Sequence, residues 1–348
     1  MTTEQATEQA ATKLNAAIEK NQREGLPLGL HFDLNFERYL LDKGLGSGDI
    51  KRLAHDAYSY WWFSWMNPMR PEDEDTPARL YGRALHACIL EGRDWFEHHY
   101  ACGPDQRGMS AGEKGASTRE ANKLAADKGK DCLKKADYES ILFASSIVTS
   151  NPDLARAFMD GRPEVSFIWM DGDVRMKMRI DYLKAAKRKG RFIAGIGDLK
   201  SVGADYRTDD FVQACYNAID DWDYHVQAAH YINGAMKIRD AIREGCIYHH
   251  GSGPREKADL DVVARLVQAE TLAWQWLFMS KSGPPRVHSM VLSPGNELLK
   301  EGLGIVERGV ANYREWMERK GPGEIWTEPT PVHELEFERM PRRQHFGR

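Results

Sequence analysis

The sequence predicts a single mixed α/β domain in which helices flank a central, mostly antiparallel sheet. Helical periodicity dominates up to the pair Asn151-Pro152, and three short strand-like segments then follow in succession: EVSFIWM, DVRMKMRIDYL and RFIAGIGDLKSV. After them come a helix, two strand-like segments around the turn KSGPP, and a long amphipathic helix. Helices packed beside a meander of strands are typical of one layered domain.

The length and the two ends of the chain set the expected domain boundaries. A chain of 348 residues is long enough for one large domain with a sizeable core. Its first residues are polar and rich in Ala and Gln, and its last residues are charged and carry several prolines. We therefore expect a flexible tail at residues 1–30, one domain at 31–328 and a second tail at 329–348.

Composition excludes several classes of protein. Hydrophobic residues make up 42% and charged residues 29%, as in ordinary globular proteins. The five cysteines are scattered and no two have CxxC spacing, so we expect no disulfide framework, no zinc knuckle and no iron–sulfur cluster. No leader-like apolar region opens the chain, and no apolar run reaches the roughly 18 residues of a membrane span. We expect a cytoplasmic protein without membrane contact.

The helical part contains one histidine in an unusual setting. In the segment SGDIKRLAHDAYSYWWFSWMNP, a helix capped by Ser47 or Gly48 places Ile50 and Leu53 on one face. A solvated loop, RPEDEDTP, separates it from a second helix, ARLYGRALHACILEG, in which His86 lies among small and apolar residues. Such a histidine is either a satisfied core residue or a metal or phosphate ligand.

Strand periodicity brings two acids and a lysine into register. In DVRMKMRID the polar residues alternate with apolar ones, and Asp181 ends the polar face. In RFIAGIGDLK, Asp198 and Lys200 are two residues apart and therefore share a face. If the two strands pair around the turn KAAKRKGR, the two acids converge. Their repulsion is relieved by a hard divalent cation such as Mg²⁺, and a lysine beside them suits phosphodiester hydrolysis.

The motif Asp-Leu-Lys is compatible with two other interpretations. An Asp/Lys pair on a strand is also common as a solvent-facing ion pair, and the motif alone leaves this alternative open. A protein-kinase catalytic loop also contains the letters DLK, but it requires Asn five residues after the Asp. This chain has Gly203 there, and no glycine-rich nucleotide loop precedes it. The kinase interpretation is therefore rejected.

The same hairpin carries a local excess of positive charge. Between Arg175 and Lys200 there are nine Lys or Arg residues and two Asp, a balance of +7 in a chain of net charge −4. A basic hairpin beside two acids suits a phosphate polymer, although a solvated β-turn would look similar. The candidate DNA-binding residues are Arg175, Lys177, Arg179, Lys187, Arg188 and Lys189.

A helix after the strands offers a further polar pair. In the segment HVQAAHYING, Gln227 and Tyr231 are four residues apart and share a helix face, whereas His230 points elsewhere. This pair is either an ordinary surface pair or part of a site.

Taken in order, these motifs resemble one known family. Their order along the chain is typical of PD-(D/E)XK nucleases. The motifs are GRALHACILEG with His86, GRPEVSFIW with Glu164, KMRIDYL with Asp181, GDLKS with Asp198 and Lys200, and QAAHY with Gln227 and Tyr231. The chain resembles the RecB-like branch of that superfamily, and within it the exonuclease VIII (RecE-like) group of phage recombination exonucleases. The resemblance spans roughly residues 35–325 and implies a restriction-endonuclease-like core.

The resemblance implies roles for these residues. His86, Asp181 and Asp198 would be ligands of Mg²⁺, for which Mn²⁺ would substitute, and Glu164 would lie near the metal. Lys200 would be catalytic. Gln227 and Tyr231 would support the site and the DNA backbone.

The resemblance also implies an activity and partners. Such enzymes digest linear duplex DNA from 5′ to 3′, leave a 3′ single strand for a single-strand annealing protein, and form rings around the DNA. They act in the cytoplasm of a bacterial host. Two alternatives remain: a structure-specific or single-strand nuclease of the same fold, and a non-catalytic protein that binds DNA ends.

Overall fold

A computed structural model describes residues 25–71, 75–158, 161–188, 191–203, 205–251, 256–281 and 283–328. The first half of this part is mainly helical and carries three short strands. Its helices are α1 (Phe36–Leu41), α2 (Ser47–His55), α3 (Ala57–Phe63), α4 (Pro77–His86), α5 (Arg93–His99), α6 (Ala111–Ala126), α7 (Lys135–Ser150) and α8 (Pro152–Ala157). Its strands are β1 (Gly29–Phe32), β2 (Tyr100–Cys102) and β3 (Asp131–Leu133).

The second half supplies most of the sheet. Its strands are β4 (Gly161–Asp171), β5 (Val174–Arg188), β6 (Arg191–Val202), β7 (Ile247–His249), β8 (Thr271–Ser280) and β9 (Val287–Leu292). Its helices are α9 (Phe211–Asp221), α10 (Tyr224–Lys237), α11 (Arg239–Arg243), α12 (Glu256–Gln268) and α13 (Glu297–Arg319). The helix break at Asn151, the three-strand meander and the strand pair around KSGPP agree with the sequence-based expectation.

Seven strands form the main sheet in the order β7-β1-β4-β5-β6-β8-β9. The pairs β1/β4, β4/β5, β5/β6 and β8/β9 are antiparallel, whereas β1/β7 and β6/β8 are parallel. Strands β2 and β3 form a separate parallel pair. The expected mixed α/β class, with a mostly antiparallel sheet flanked by helices, is confirmed.

Two apolar clusters hold the helices against the sheet. The larger joins the sheet to α2, α3, α9, α10, α12 and α13 and includes the fully buried rings of Trp274, Trp276 and Trp326. The smaller joins α4, α5 and α7 to Leu199 of β6 and Leu277 of β8. Burial of this apolar area is the main stabilising contribution to the fold.

Close packing of α13 depends on two glycines. A Cβ added at Gly302 would lie 2.6 Å from the carbonyl oxygen of His225 in α10, and one at Gly309 would lie 2.8 Å from that of Ile50 in α2. Any side chain at either position would force the helices apart. Helix α10, which carries two candidate site residues, is therefore held from outside by α13.

The N-terminal boundary differs from the expected one. Residues 25–30 belong to the folded domain rather than to a tail, because Leu26 is buried and β1 begins at Gly29. The rest of the expected N-terminal tail, and the expected tail at 329–348, lie outside the described residues. Within the described helices, none is both long and apolar enough to cross a bilayer.

Candidate active site

Three acids lie side by side on three neighbouring strands. Tyr182 of β5 pairs with Pro163 of β4 on one side and with Gly197 of β6 on the other. This register places Glu164, Asp181 and Asp198 at adjacent positions across the sheet. The acids are 17 residues apart in each step of the chain, so the meander brings them together.

His86 approaches this row from the end of α4. Its Nε2 lies 3.7 Å from Asp181 Oδ2 and 3.2 Å from the carbonyl oxygen of Leu199, and its Nδ1 lies 3.9 Å from Glu164 Oε1. A π-helical turn, Ala87–Glu91, directly follows His86. Such turns insert an extra residue into a helix and recur at functional sites, because they change the direction of nearby side chains.

Glu164 has a strained backbone and a fixed side chain. Its φ is +54°, in the left-handed region that non-glycine residues rarely adopt. Its Oε2 accepts a hydrogen bond from Arg179 Nε at 2.5 Å, and Arg179 also donates to the carbonyl oxygen of Leu34. Burial acts to raise the pKa of Glu164, but the contacts with His86 and Arg179 hold it below its usual value. The carboxylate is therefore ionised and held facing His86.

Asp181 is the centre of the row. Its Oδ2 accepts a hydrogen bond from the backbone nitrogen of Leu199 at 2.8 Å. Burial, together with the charge of Asp198, outweighs the attraction of His86 and raises the pKa of Asp181 to about 6. For His86, burial opposes the charged form, but Asp181 and Glu164 outweigh it and raise its pKa to about 9. The negative charge of the row thus attracts a proton, which a bound cation would replace.

Asp198 and Lys200 form a buried ion pair. Lys200 Nζ lies 2.5 Å from Asp198 Oδ2, and Asp198 is only 1% exposed. The amide of Gln227 donates to Asp198 Oδ1 at 2.9 Å. Burial would lower the pKa of Lys200, but Asp198 and Asp181 raise it above its usual value. The ammonium therefore stays protonated beside the acids.

Helix α10 presents one face to the acids. Gln227 reaches Asp198 directly, and Tyr231, one turn later, is buried close enough to Asp181 and Asp198 for their charges to act on it. Burial and these two carboxylates raise the pKa of Tyr231 to about 12, so its hydroxyl is neutral. His230 faces a different region, where its Nε2 donates to the carbonyl oxygen of Lys177 at 3.1 Å.

Three basic residues of β5, Arg175, Lys177 and Arg179, are turned into the fold and do not form the expected open DNA surface. Lys177 is 8% exposed and donates to the carbonyl oxygens of Tyr39, Leu40 and Asp42 at the end of α1. Arg175 is paired with the buried Asp42, its Nη2 2.6 Å from Oδ2.

Arg179 is also turned into the fold, where its guanidinium donates a hydrogen bond to the carboxylate of Glu164. Arg175 and Arg179 pair with internal carboxylates, and Lys177 binds the carbonyl oxygens at the C-terminus of α1. Strand alternation alone does not distinguish such internal charges from charges that face solvent. The side chains of Lys187 and Arg188, and the whole of Lys189, lie outside the described residues.

Sequence analysis missed two residues at this site. Tyr224 lies beside Lys200, whose Nζ is 4.9 Å from its ring centroid, and Lys51 of α2 lies 5.6 Å from the same ring. The spacing of Tyr224, Gln227 and Tyr231 at i, i+3 and i+7 could have identified the first. No local signal identifies Lys51, because it reaches the site through the packing of α2 near α10.

The donors of the cluster fit a divalent cation. His86, Glu164 and Asp181 each offer one ligand atom, and these atoms lie within 4.8 Å of one another. In the described part of the chain this is the one group of three or more His, Cys, Asp or Glu with that geometry. Its atoms are carboxylate oxygens and an imidazole nitrogen, which suit a hard or intermediate divalent ion. Asp198, whose buried Oδ2 is paired with Lys200, borders the group.

A match to a family model agrees with this geometry. Residues 65–248 match the family described as "PDDEXK-like domain of unknown function (DUF3799)". Among solved structures, a chain from Eubacterium rectale described as "Putative exonuclease" is 16% identical, with a TM-score of 0.47, over 87% of this chain and 97% of that one. No curated protein matches.

The matched range contains all the residues proposed above for the cluster and its surroundings except Lys51. The expected PD-(D/E)XK assignment is therefore confirmed, whereas the exonuclease VIII (RecE-like) group within it stays a prediction. More than half of the chain lies within the match. The chain belongs to this PDDEXK-like family.

Proposed function

We propose that this protein is a Mg²⁺-dependent exodeoxyribonuclease that degrades linear double-stranded DNA from 5′ to 3′ and leaves 3′ single-stranded tails. The observation that carries the nuclease assignment is the convergence of three acids, a histidine and a lysine at one place on the sheet. Glu164, Asp181 and Asp198 are adjacent across three strands, and His86 and Lys200 contact them. A protein that only bound DNA would gain nothing from acids that repel phosphate.

His86, Glu164 and Asp181 would hold the divalent cation, with Asp198 at its border. When bound, the cation polarises phosphate oxygens and offsets the mutual repulsion of the carboxylates. Neighbouring residues hold these carboxylates in position before the cation binds. Arg179 orients Glu164, the backbone nitrogen of Leu199 orients Asp181, and Gln227 orients Asp198. Ligands held by such outer contacts need little reorganisation on binding.

Lys200 has a separate task. Its ammonium is held beside Asp198, and burial makes its charge more effective than it would be in water. A phosphate that approached the acid row would meet this ammonium, which would stabilise the negative charge that develops during hydrolysis. Asp198 thus both borders the cation position and holds Lys200 in place.

The polarity, the DNA end and the assembly rest on the family resemblance. We propose that the substrate is an end of linear duplex DNA, that the chain forms a ring-shaped homo-oligomer, and that a single-strand annealing protein takes up the 3′ tail in the cytoplasm of a bacterial host. Mg²⁺ is the proposed ion, with Mn²⁺ as its substitute.

The test uses linear duplex DNA labelled at the 5′ or the 3′ end, together with a covalently closed circle, each with Mg²⁺ and with chelator. We expect Mg²⁺-dependent early release of the 5′ label and an intact circle. Early release of the 3′ label would contradict the polarity, and nicking of the circle would indicate an endonuclease. Lys200→Met serves as the matched inactive variant and shows that cleavage comes from this site.

A further inference from the structure

A second lysine lies beside the catalytic pair. Lys51 of α2 is half-buried, and its Nζ lies 5.6 Å from the ring centroid of Tyr224, the ring that Lys200 also faces. Its ammonium donates a hydrogen bond to the carbonyl oxygen of Trp222, at 2.5 Å. The ammonium groups of Lys51 and Lys200 therefore both lie close to the ring of Tyr224.

The charge of Lys51 is not neutralised as its neighbours' charges are. Lys200 pairs with Asp198 and Arg179 with Glu164, but no carboxylate of the described residues lies within ion-pair distance of Lys51. Burial and the charge of Lys200 lower its pKa to about 8, although Asp223 and Asp198 oppose this shift. At pH 7 the group is still mostly protonated. An unpaired ammonium in a half-buried position is a ready partner for an incoming phosphate.

Trp222, whose backbone carbonyl oxygen accepts the hydrogen bond from Lys51, carries an exposed aromatic ring. The residue directly follows α9 and is 58% exposed. Tyr206 donates a hydrogen bond to Asp221, the residue before Trp222, and the residue after it, Asp223, has a left-handed backbone with φ of +49°. Trp222 therefore lies at a sharp turn between α9 and α10. Exposed aromatic rings beside basic groups bind single-stranded nucleic acid, because every base has a face that can stack.

We propose that Lys51 and Trp222 form a nucleotide-binding subsite beside the acid row, in which Lys51 binds a phosphate next to the scissile one and Trp222 stacks on an unpaired base. The proposal rests on the proposed nuclease function and specifies the form of its substrate. A base inside a duplex has both faces covered by its neighbours, so Trp222 can stack only on a base that has left the helix. The strand being cut is therefore held unpaired over at least one nucleotide.

Stacking is tested with 2-aminopurine, a fluorescent base that is quenched when it stacks. The probe is a duplex with one unpaired 2-aminopurine at its 5′ or its 3′ terminus, bound with Mg²⁺ to the inactive Lys200→Met protein. We expect quenching that Trp222→Ala abolishes and Trp222→Phe retains. Trp95→Ala is the control, because Trp95 is 41% exposed on α5 at a distant place in the chain. Quenching that survives Trp222→Ala would overturn the stacking assignment.

Phosphate binding is tested with Lys51→Gln and Lys51→Arg in the active protein. We expect Lys51→Gln to raise KM about 5- to 100-fold with little change in kcat, and to reduce the salt dependence of DNA binding by about one phosphate contact. Lys51→Arg should restore both. If Lys51 only capped α9, Lys51→Gln would lower the unfolding midpoint and leave the salt dependence unchanged, which would overturn the proposal.

The two proposals fail in different ways. If the wild-type protein cleaves no DNA but Trp222-dependent quenching occurs, the nuclease function is wrong and the subsite stands as a nucleic-acid site. If the wild-type protein cleaves DNA and the Lys51 and Trp222 variants match it in KM, salt dependence and quenching, the subsite is wrong and the nuclease function stands.

Discussion

The ammonium of Lys200 lies 2.5 Å from the carboxylate of Asp198, two residues earlier on the same strand, and the carboxylate is almost completely buried. The pair is held on one side by Gln227 and lies beside the row formed by Glu164 and Asp181. A buried pair of this kind gives little net stability, but removal of one partner is costly. Its retention at this place therefore points to chemistry, and its energetics can be measured.

The first prediction concerns this pair. Lys200→Met and Asp198→Asn should each reduce cleavage by about 10³-fold or more, because each removes charge stabilisation at the phosphate. Lys200→Met should also lower the free energy of unfolding by about 3–5 kcal/mol, since it leaves the acids uncompensated. Asp198→Asn should lower the free energy of unfolding by a smaller amount, because the charge of Lys200 is still compensated by the nearby carboxylate of Asp181. Urea unfolding and cleavage rates measure both effects.

The double variant is the control for this prediction. Asp198→Asn with Lys200→Met removes both charges and should be more stable than Lys200→Met alone, while it remains inactive. Strictly additive losses of stability would contradict a direct interaction between the two side chains.

The second prediction concerns protons released by the cation. In the cation-free protein the pKa of His86 is raised to about 9, so the imidazole is protonated at pH 7.5. A cation requires the neutral imidazole, so binding of Mn²⁺ should release about one proton, and its affinity should rise with pH up to about 9. Calorimetry in two buffers of different ionisation enthalpy measures the release. Equal binding heats in both buffers would show that His86 does not release a proton when the cation binds.

The same shift predicts a pH dependence of stability. The folded pKa of His86 lies above its usual value of 6.5, so its contribution is complete below about pH 6.5 and is lost as pH rises through about 9. In the presence of chelator, the wild-type protein should therefore lose stability between these values more steeply than His86→Gln. Unfolding midpoints across this range measure the difference.

The third prediction separates internal charge from DNA binding. Arg175→Leu leaves the buried carboxylate of Asp42 without its partner and should lower the free energy of unfolding by about 3–5 kcal/mol. Because Arg175 is turned into the fold, the salt dependence of DNA binding should not change. Arg175→Leu with Asp42→Asn should recover part of the stability. A reduced salt dependence in Arg175→Leu would restore the expectation of a basic DNA-facing strand.

The fourth prediction tests the role of Gln227 as a positioning residue. Gln227→Leu removes the donor to Asp198 Oδ1 and should lower kcat about 10- to 100-fold with KM nearly unchanged. Gln213→Leu is the matched control, because Gln213 lies on α9 and its amide donates to Asn217 at the surface. Equal kcat values for the two variants would show that Asp198 needs no orientation by Gln227.

Local patterns predicted the parts of the fold that depend on neighbours in the chain. Alternation marked β5, the glycine- and lysine-rich turn marked the β5/β6 hairpin, and Asn151-Pro152 marked the break between α7 and α8. In the hairpin, the expected convergence of Asp181 and Asp198 follows from register, which short-range pairing determines.

Sequence patterns did not predict contacts between segments that are far apart in the chain. The polar face of β5 suggested an open basic surface, but residues 26–42 lie against it and take up Arg175 and Lys177. These contacts join positions more than a hundred residues apart, and alternation is the same whether a polar face meets water or an internal carboxylate.

The sequence by itself determined the order of helices and strands, the pairing of the acids on β5 and β6, and the set of residues that resembles PD-(D/E)XK nucleases. Tertiary structure decided how Glu164 and His86, which the resemblance assigns to the site, meet the two acids. It alone decided that the charges of Arg175 and Lys177 are internal and that Lys51 lies beside Lys200. The physical reason is distance along the chain. Local geometry sets a strand and its turn, but the packing of a helix on a sheet depends on the whole core.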